Sequence, residues 1–444
     1  MSLSTPKNTP ENAFAENASL KSHYTVLIVG GGQAGLSMSA CLQERSIDHL
    51  IFEKNTMMHS WKTQRWDSFT LVTPNWQCAL PNHPYDGDDP KGFMKRDDII
   101  GYLDRFAAKV KPPILENVSV DRITKSTDGH FVVLTTQGEF TAEQVVIASG
   151  GYLKPIIPRM AERIPETVLQ MHSNQYKNSQ QLPEGGVLVV GSGQSGAQIA
   201  EDLHIDGKKV FLATGNAPRV ARQYRGKDVV EWLDDMDYYK KTVDEHPLRE
   251  GVRDNTNHYV TGRDGGREID LRKFALEGME LFGLMENYQD GQLIFKPNLS
   301  ENLKAADDTY KNINARIDSY IEKNGISAPE EAPYQAVWEP SSERENLDLA
   351  ASGITSIIWC IGFTPDFSWL DLPVFNGMGA PVHHRGVTNE AGLYFIGLPW
   401  LHTWGSGRFS GVATDADYLA QCVQTFSASV KGKETANQTL SEVS

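Results

Sequence analysis

The sequence contains few cysteines and no long apolar run. The four cysteines are Cys41, Cys78, Cys360 and Cys422, and none lies within three residues of another. This spacing excludes a C-x-x-C redox pair and provides no disulfide framework. No stretch approaches the roughly 18 apolar residues that a membrane-spanning helix needs. The first 22 residues are polar and lack the apolar core of a signal peptide, so we expect a cytoplasmic protein, not bound to membranes, with a disordered tail over residues 1–23.

Positive charge is also scarce. Lysine and arginine together number 42 against 57 aspartates and glutamates, which gives a formal net charge of -15. A protein that binds nucleic acid normally presents a basic surface, so nucleic acid is not expected as a partner. His383 and His384 are adjacent, but no third ligand follows at a useful spacing. The sequence therefore predicts no metal site.

What the sequence does contain is one local pattern that occurs twice. Residues 25–29 form an apolar, β-branched run followed by the glycine motif GGGQAG, and residues 187–190 form a similar run followed by GSGQSG. In each copy a helical stretch comes next, so each reads as strand, glycine turn and helix. With 444 residues the chain has room for two or three domains. The repeat predicts an α/β protein with two Rossmann-like dinucleotide-binding domains.

The first glycine motif has the full spacing of a dinucleotide site. Gly30 permits the tight turn, Gly32 lets a pyrophosphate approach the backbone, and Gly35 lets the helix and strand pack closely. The start of the helix, at Gln33 and Ala34, supplies positive partial charge for the phosphates. Glu53 ends the second strand, where a carboxylate can accept hydrogen bonds from both ribose hydroxyls of an adenosine.

The second glycine motif lacks that acidic residue. Gly191, Gly193 and Gly196 again connect strand to helix, and Gln194 and Ser195 open the helix. The equivalent strand end carries Thr214, which would not repel a 2′-phosphate. Arg219 and Arg222 follow closely, and an arginine can bind a phosphate in a bidentate manner. These residues favour NADPH over NADH, although Thr214 would tolerate either cofactor.

Beyond the two motifs, several segments resemble the class B flavin-containing monooxygenases, including YUCCA-type enzymes and bacterial relatives. The resemblance covers roughly residues 24–225 and 350–425. It rests on Glu53-Lys54 followed by His59-Ser60-Trp61, on the segment 71–84, on the junctions 148–152 and 360–365, and on the closing segment 392–411. The family signature before the second motif is incomplete: His172 and Tyr176 fit it, but Glu166 and Val168 occupy its Phe and Gly positions. The arginine that the family usually places after the second strand of the second unit is replaced by Thr214.

The resemblance implies FAD and NADPH (or NADH) as cofactors. In this family the reduced flavin reacts with O₂ to form a C4a-(hydro)peroxyflavin, which oxygenates a small N-, S- or keto-containing substrate. Asn75, in the flavin-lining segment, is the candidate catalytic donor near flavin N5. Trp61 is expected as a wall beside the flavin, and the helix after Ser410 should point its N-terminus at the flavin. Lys54 and Val120 complete the expected cofactor contacts.

The two motifs also predict the domain order, with the FAD domain interrupted by the NAD(P)H domain. We expect the FAD-binding domain over residues 24–165 and 356–428. The NAD(P)H-binding domain should span residues 166–355 and contain a charged insertion at about 225–345. Residues 429–444 would form a tail, and a homodimer is the assembly considered.

Two other functions compete with monooxygenation. A flavin disulfide reductase also uses two Rossmann domains, but it needs a redox-active cysteine pair, which this chain lacks. A flavoprotein that oxidises NAD(P)H without transferring oxygen to a substrate would need the same two cofactor sites. Sequence alone leaves this second alternative open.

Overall fold

The computed structural model describes residues 21–255 and 257–442, and two α/β units, each built on a parallel sheet, dominate this part of the chain. The predicted tail falls mainly on residues 1–20, which lie outside the described residues. In chain order the strands are β1 His23–Val29, β2 His49–Glu53, β3 Ala79–Leu80, β4 His83–Pro84, β5 Ile114–Glu116, β6 Val120–Lys125, β7 Phe131–Thr135, β8 Gly138–Ile147, β9 Lys154–Pro155, β10 Leu169–His172, β11 Gly186–Val190, β12 Val210–Ala213, β13 Gln223–Tyr224, β14 Lys227–Asp228, β15 Glu280–Phe282, β16 Met285–Gln289, β17 Gln292–Phe295, β18 Asn346–Asp348, β19 Ile354–Trp359, β20 Phe363–Thr364, β21 His383–His384, β22 Val387–Thr388 and β23 Leu393–Phe395.

The helices alternate with these strands as the strand–glycine–helix pattern predicts. The α-helices are α1 Gln33–Glu44, α2 His59–Thr63, α3 Arg96–Val110, α4 Gln194–Ile205, α5 Val229–Asp235, α6 Leu271–Leu276, α7 Leu299–Asn324 and α8 Val412–Glu442. Short 3-10 helices lie at Asn75–Gln77, Arg159–Arg163, Ser179–Gln181, Tyr238–Lys240, Arg249–Asp254 and Arg263–Gly265. Within the described residues, none of these helices combines the length and the apolar character needed to cross a bilayer.

The first unit is built on a sheet in the order β21-β22-β23-β8-β1-β2-β5, to which β7 and β6 add an antiparallel extension. Strands β23, β8, β1, β2 and β5 run parallel. Along β1, Val26 and Ile28 join the core under the helices, while Leu27 and Val29 join the core on the opposite face. Burial on both faces explains why the strand reads as a continuous apolar run. Helix α1 packs against both α3 and α8.

The second unit is built on a five-stranded parallel sheet in the order β10-β19-β11-β12-β15. Along β11, Val187 and Val189 pack in the core that contains α4, and Leu188 and Val190 pack in a separate core on the other face. Residues of the antiparallel strands β16, β17 and β18 cover that second face. The fold class predicted from the sequence, with two Rossmann-like units, is confirmed.

Three predicted boundaries differ from the structure. The stretch 225–345 is not one insertion, because β15 completes the parallel sheet and β16 and β17 cover its face. The boundary predicted at residue 355 falls inside β19, which pairs with β10 and β11 and therefore belongs to the second unit. Residues 429–442 continue helix α8 and do not form a separate tail.

The chain crosses between the two units twice, and a polar contact also holds the units together. Strands β9 and β20 pair antiparallel where the chain leaves the first unit and returns to it. Asp202 of α4 accepts hydrogen bonds from Ser68 of the first unit and from Tyr176 and Arg263 of the second. This contact sets the segment after α2 against the second unit.

Candidate functional site

Space in front of α1 identifies the first candidate binding site. A Cβ at Gly30, whose φ is +113°, would lie 2.6 Å from the carbonyl oxygen of Ala148. A Cβ at Gly35 would lie 1.9 Å from the carbonyl oxygen of Gly30. A Cβ at Gly32, by contrast, would meet nothing within 4 Å. The outer two glycines are thus required by backbone packing, and the middle one leaves open space at a helix N-terminus, where a pyrophosphate can be accommodated.

Glu53 lies at the mouth of this space, as predicted. Its Oε2 accepts a hydrogen bond from the backbone N–H of Gly31 at 2.6 Å, and its Oε1 accepts one from Asn55 at 2.8 Å. Glu116 lies beside it in the parallel register and accepts a hydrogen bond from the backbone N–H of Met57 at 2.6 Å. Sequence reasoning missed Glu116, since β5 is a three-residue strand without a clear pattern. Two carboxylates therefore mark this strand end.

The other two residues predicted for this side are less central. Lys54 has an exposed side chain and follows Glu53 out of the strand. Val120 begins β6 and is partly buried against the core that contains Phe52. Neither carries a polar contact that would identify a role in binding.

A polar relay ties the start of α1 to Trp61 and to the closing segment. The indole Nε1 of Trp61 donates to Oε1 of Gln33 at 2.5 Å, and Nε2 of Gln33 donates to the carbonyl oxygen of Gly407 at 3.0 Å. The Trp61 ring stacks on Phe409 with ring centroids 5.3 Å apart. Trp61 therefore lies where the glycine motif and the segment before α8 meet, consistent with the predicted wall.

Asn75, the candidate donor to the flavin, has both polar atoms of its side chain engaged by the protein. Its Nδ2 donates to the carbonyl oxygen of Asp89 at 2.9 Å, and its Oδ1 accepts the backbone N–H of Met94 at 2.7 Å. Its side chain is buried and stabilises the loop between these two residues. Two positions along, Gln77 is also buried, and its Oε1 has no hydrogen-bond partner among the described residues.

Buried polar atoms without partners occur on the segments around this space, as they do elsewhere in the described residues. The side-chain oxygens of Gln77, Ser149 and Ser410 lack partners in the described part of the chain. The backbone N–H of Ala79 donates to the carbonyl oxygen of Phe409 at 3.2 Å, which sets the Gln77 segment beside the start of α8. Buried polar groups in native proteins are nearly always hydrogen-bonded, so these three oxygens call for a polar ligand. A flavin with its polar ring edge and ribityl hydroxyls fits that requirement.

The second glycine motif repeats the same backbone geometry. A Cβ at Gly191 would lie 2.7 Å from the carbonyl oxygen of Cys360, and one at Gly196 would lie 1.8 Å from that of Gly191. Gly193 caps α4, whose first residues are Gln194 and Ser195. Gln194 fastens a loop much as Gln33 does, because its Nε2 donates to the carbonyl oxygen of Val260 at 2.5 Å. A second diphosphate site at this helix start is therefore structurally sound.

Thr214, however, does not present its hydroxyl to a ligand. The hydroxyl donates to the carbonyl oxygen of Phe282 at 2.8 Å and accepts from Nδ2 of Asn302 at 3.2 Å. The adjacent cavity, of about 10 Å³, is lined by uncharged residues, which are Ser192, Thr214, Gly215, Ala217, Tyr259, Leu271, Asn302, Leu303 and Ala306. Binding of the cofactor through this hydroxyl stays a prediction, and it would require the hydroxyl to leave these partners.

Arg219 is committed to a buried ion-pair network and is not free to bind a phosphate. Its guanidinium contacts Asp307 at 3.0 Å, Glu268 at 2.9 Å and Asp270 at 3.2 Å. Burial alone would lower the pKa of Arg219, but Asp270 and Glu268 raise it well above its usual range. Recognition of a 2′-phosphate by Arg219 would require its guanidinium to leave this network.

Arg222 is equally unavailable. It pairs with Asp228 and donates from Nη1 to the carbonyl oxygen of Val72 at 2.8 Å, and its guanidinium lies 4.6 Å from the centre of the Phe93 ring. Val72 and Phe93 belong to the first unit. Arg222 therefore holds the segments around these two residues against the second unit. Phosphate recognition by Arg222 would likewise require it to leave Asp228, a partner that the sequence did not reveal.

The cysteines provide no redox pair. All four are free; Cys41, Cys78 and Cys360 are buried, and Cys422 is partly buried. Burial raises the pKa of the Cys41 and Cys78 thiols to about 12 and raises that of Cys360 further. A thiol is reactive as its thiolate, so none of these three buried groups is poised for disulfide exchange.

Similar proteins agree with this arrangement. Residues 27–260 match the protein family described as pyridine nucleotide-disulphide oxidoreductase. The chain is 33% identical over 396 residues to an uncharacterized CzcO-like oxidoreductase of Geobacillus kaustophilus, covering 89% of this chain and 96% of that one. It is 35% identical over 187 residues to the probable indole-3-pyruvate monooxygenase YUCCA10 of Arabidopsis thaliana, covering 40% and 48% of the two chains. A flavin-containing monooxygenase structure from Stenotrophomonas maltophilia has the same fold, with a TM-score of 0.61, 18% identity, and coverage of 91% of this chain and 99% of that one.

Proposed function

Because the chain belongs to the class B flavin-containing monooxygenases, within the pyridine nucleotide-disulphide oxidoreductase family, we propose that it uses FAD and NAD(P)H to insert one oxygen atom of O₂ into a small organic substrate. The observation that carries the proposal is the pairing of two glycine-motif sites with partnerless polar groups around the first. The substrate class considered comprises amines, sulfides and ketones.

FAD binding falls to the first unit. The backbone N–H groups at the start of α1, with Gly32 leaving room, would hold the pyrophosphate. Glu53 would exchange its contact with Gly31 for the ribose hydroxyls. Gln77 and Ser410 would meet the polar edge of the flavin ring, since their side-chain oxygens lack other partners. Bound there, FAD would supply hydride acceptance from the nicotinamide and the activation of O₂.

The residues around the ring would exclude water. Trp61, Phe69 and Phe409 form a cluster of aromatic rings, with centroid separations of 6.1 Å for Trp61–Phe69 and 5.3 Å for Trp61–Phe409. An apolar wall keeps solvent from a reactive oxygen species and so favours transfer to substrate over release of peroxide. Gln77 would orient the ring by hydrogen bonding, the role that Asn75 cannot fill.

NAD(P)H binding falls to the second unit, at the start of α4. Both NADPH and NADH should serve, because Thr214 at the strand end is uncharged and its hydroxyl is held by Phe282 and Asn302. Arg219 and Arg222 are assigned no role in the choice between NADPH and NADH, because both are paired with carboxylates.

The proposal is tested by measuring whether the electrons taken from NADPH end in H₂O₂ or in an oxygenated product. The FAD-loaded enzyme would be supplied with NADPH and O₂ and with a panel of amines, sulfides and ketones, while NADPH consumed, H₂O₂ released and oxygenated product are measured. We expect at least one compound to divert NADPH oxidation from H₂O₂ to product. Equal amounts of H₂O₂ and NADPH consumed for every compound would favour the alternative of an NAD(P)H-oxidising flavoprotein.

The assignment of Gln77 has its own test. Gln77→Met keeps the length of the side chain but removes its polar atoms, so FAD affinity should fall by about tenfold, with a shift of the flavin absorption maxima. Asn75→Ala is the matched control in the same segment: it should lower thermal stability without shifting the absorption maxima. The reverse pattern would return the flavin contact to Asn75.

A further inference from the structure

Arg65 lies beside the flavin-lining segment and has no carboxylate partner. Its Nη1 donates only to the carbonyl oxygen of Gln64, at 3.1 Å, and its guanidinium lies 4.7 Å from the centre of the Trp61 ring and 5.6 Å from that of Phe69. Desolvation lowers the pKa of Arg65 to about 10, and the one ionisable group that opposes this is Tyr152.

Arg408, just before the start of α8, has the same character. Its Nη1 donates to the carbonyl oxygen of Trp404, its Nη2 donates to Oδ1 of Asn257 at 2.9 Å, and its guanidinium lies 4.2 Å from the centre of the Trp404 ring. Desolvation lowers the pKa of Arg408, and Tyr152 is again the leading group that raises it. Among the described residues, no carboxylate contributes to the pKa of either arginine.

This pair contrasts with the two buried arginines of the second unit, Arg219 and Arg222. The chain carries a net charge of -15, and the buried Arg219 and Arg222 are both neutralised by carboxylates. A desolvated charge without a partner is unfavourable, and both Arg65 and Arg408 keep part of their surface accessible. Two uncompensated cations in an acidic protein therefore call for an anion from outside the chain.

The position of the pair indicates which anion. Arg65 lies on Trp61, and Arg408 precedes Phe409, the ring on which Trp61 stacks. Lys177 of the second unit donates to the carbonyl oxygen of Arg65 at 3.1 Å, so the site lies where the two units meet. Both diphosphates have their own helix N-termini, at α1 and α4. The aromatic surroundings suit an organic acid, with its apolar body against the rings and its charge on the guanidinium groups.

We propose that Arg65 and Arg408 form an anion subsite that holds the carboxylate of the organic substrate. The inference deepens the proposed function and rests on it in one respect, that the molecule held there is the one oxygenated. Both arginines act as binding residues.

The test measures binding and needs no turnover. The oxidised, FAD-loaded enzyme would be titrated with pairs of acids and their amides, namely benzoate and benzamide, phenylacetate and phenylacetamide, and indole-3-acetate and indole-3-acetamide, and the flavin absorbance followed. We expect the acid of at least one pair to bind ten times more tightly than its amide. Sodium chloride at high concentration should weaken the acid and leave the amide unchanged.

Variants assign the effect to the two arginines. Arg65→Gln and Arg408→Gln should each weaken binding of the acid by about tenfold, and Arg65→Lys should restore part of it. Arg105→Gln, an exposed arginine paired with Asp86 in the first unit, is the control and should bind the acid as the unmodified enzyme does. The Kd values of FAD and NADP⁺ are measured for every variant.

Two results would overturn the proposal. One is a panel in which no acid binds better than its amide to the unmodified enzyme, a measurement that does not depend on any variant folding. The other is a loss of FAD or NADP⁺ affinity of tenfold or more in the variants without a change in acid preference, which would assign the arginines to a cofactor phosphate. Failure of oxygen transfer with acid binding intact would contradict only the proposed function.

Discussion

The two glycine-motif sites have the same backbone but different surroundings. In both, the third glycine packs so closely on the first that a side chain is excluded. A Cβ added at the third glycine would lie 1.9 Å from the carbonyl oxygen of the first glycine in the first unit, and 1.8 Å from it in the second. In both, a glutamine at the helix start fastens a neighbouring loop. The strand ends differ: Glu53 faces the site, whereas the hydroxyl of Thr214 is held within the protein. The motif thus specifies one backbone geometry, and the two sites differ in the residues that lie outside it.

The difference arises from what lies beside each strand. Strand β2 neighbours the short strand β5, whose Glu116 adds a second carboxylate. Strand β12 neighbours β15, whose Phe282 offers a carbonyl oxygen, and helix α7, whose Asn302 supplies an amide. These partners occupy the Thr214 hydroxyl and leave an uncharged cavity beside it.

The largest expected effect comes from removing the buried arginine of the second unit. Arg219→Met leaves Glu268 and Asp270 without an ion-pair partner among the described residues and leaves Asp307 with Arg272 alone, so the free energy of unfolding should fall by about 3–5 kcal/mol. Chemical denaturation measures this change. The affinities for NADPH and NADH should change equally, and a selective loss of NADPH would restore the phosphate-binding role. Arg122→Met, at an exposed ion pair with Asp371, is the control and should be nearly silent.

The next prediction makes the same glycine-to-alanine substitution in both sites. Gly35→Ala and Gly196→Ala each drive a Cβ into a backbone carbonyl oxygen and should each cost about 2–3 kcal/mol of stability. Gly35→Ala should lose FAD, measured by the ratio of flavin to protein absorbance. Gly196→Ala should keep FAD and lose reduction by NADPH. Loss of FAD from both variants would show that the sites are not independent.

Gly32→Ala is the control for that pair. Its φ is -80° and no protein atom lies within 4 Å of the added Cβ, so protein stability without FAD should not change. FAD binding should fall sharply, because the methyl group would occupy space that the pyrophosphate needs. An unchanged FAD content would place the pyrophosphate elsewhere.

A third comparison concerns pH. Burial raises the pKa of Glu201 in α4 to about 7, despite an Arg267 nitrogen 3.3 Å away. The carboxyl therefore binds its proton more tightly in the folded chain than in the unfolded chain, where its pKa is near 4.3. Protonation stabilises the fold, so stability gains a contribution of about 2 kcal/mol as pH falls from 8 to 5.

The variant Glu201→Gln should lack this contribution. Chemical denaturation at pH 5 and pH 8 would be compared between the variant and the unmodified protein, so that titration of the histidines cancels. Glu322→Gln, on the exposed face of α7, should keep the full pH dependence. If Glu201→Gln follows the unmodified protein at both pH values, the carboxyl is ionised in the fold throughout.

The sequence predicted local geometry well and distant partners poorly. The glycines, Glu53 and the helix starts follow from a few consecutive residues, whose strand–turn–helix geometry is nearly self-contained. The protein partners of Asn75 and Arg219, such as Asp89 and Asp307, were not predicted because they lie 14 and 88 residues away. A charged or amide side chain near a motif has the same appearance in sequence whether it faces a ligand or a buried partner. The role of β15 was missed for the same reason, since three residues carry no periodicity.

The smallest expected effect is discrimination between NADPH and NADH. Because Thr214 at this strand end is uncharged and its hydroxyl is held within the protein, the kcat/KM values for flavin reduction should differ by less than about tenfold, or about 1.4 kcal/mol. Gly215 allows this to be changed in either direction, because a Cβ there meets nothing within 4 Å. Gly215→Arg should favour NADPH by about 1.5 kcal/mol through a charge-assisted hydrogen bond to the 2′-phosphate. Gly215→Glu should favour NADH, because a carboxylate repels that phosphate and can bind the ribose hydroxyls as Glu53 is proposed to do.

Gly207→Arg, at the far end of α4, is the control and should leave the ratio unchanged. If the two Gly215 variants shift the ratio in the same direction, the 2′-position of the cofactor lies away from this strand end, and the correspondence between the two sites ends at the diphosphate.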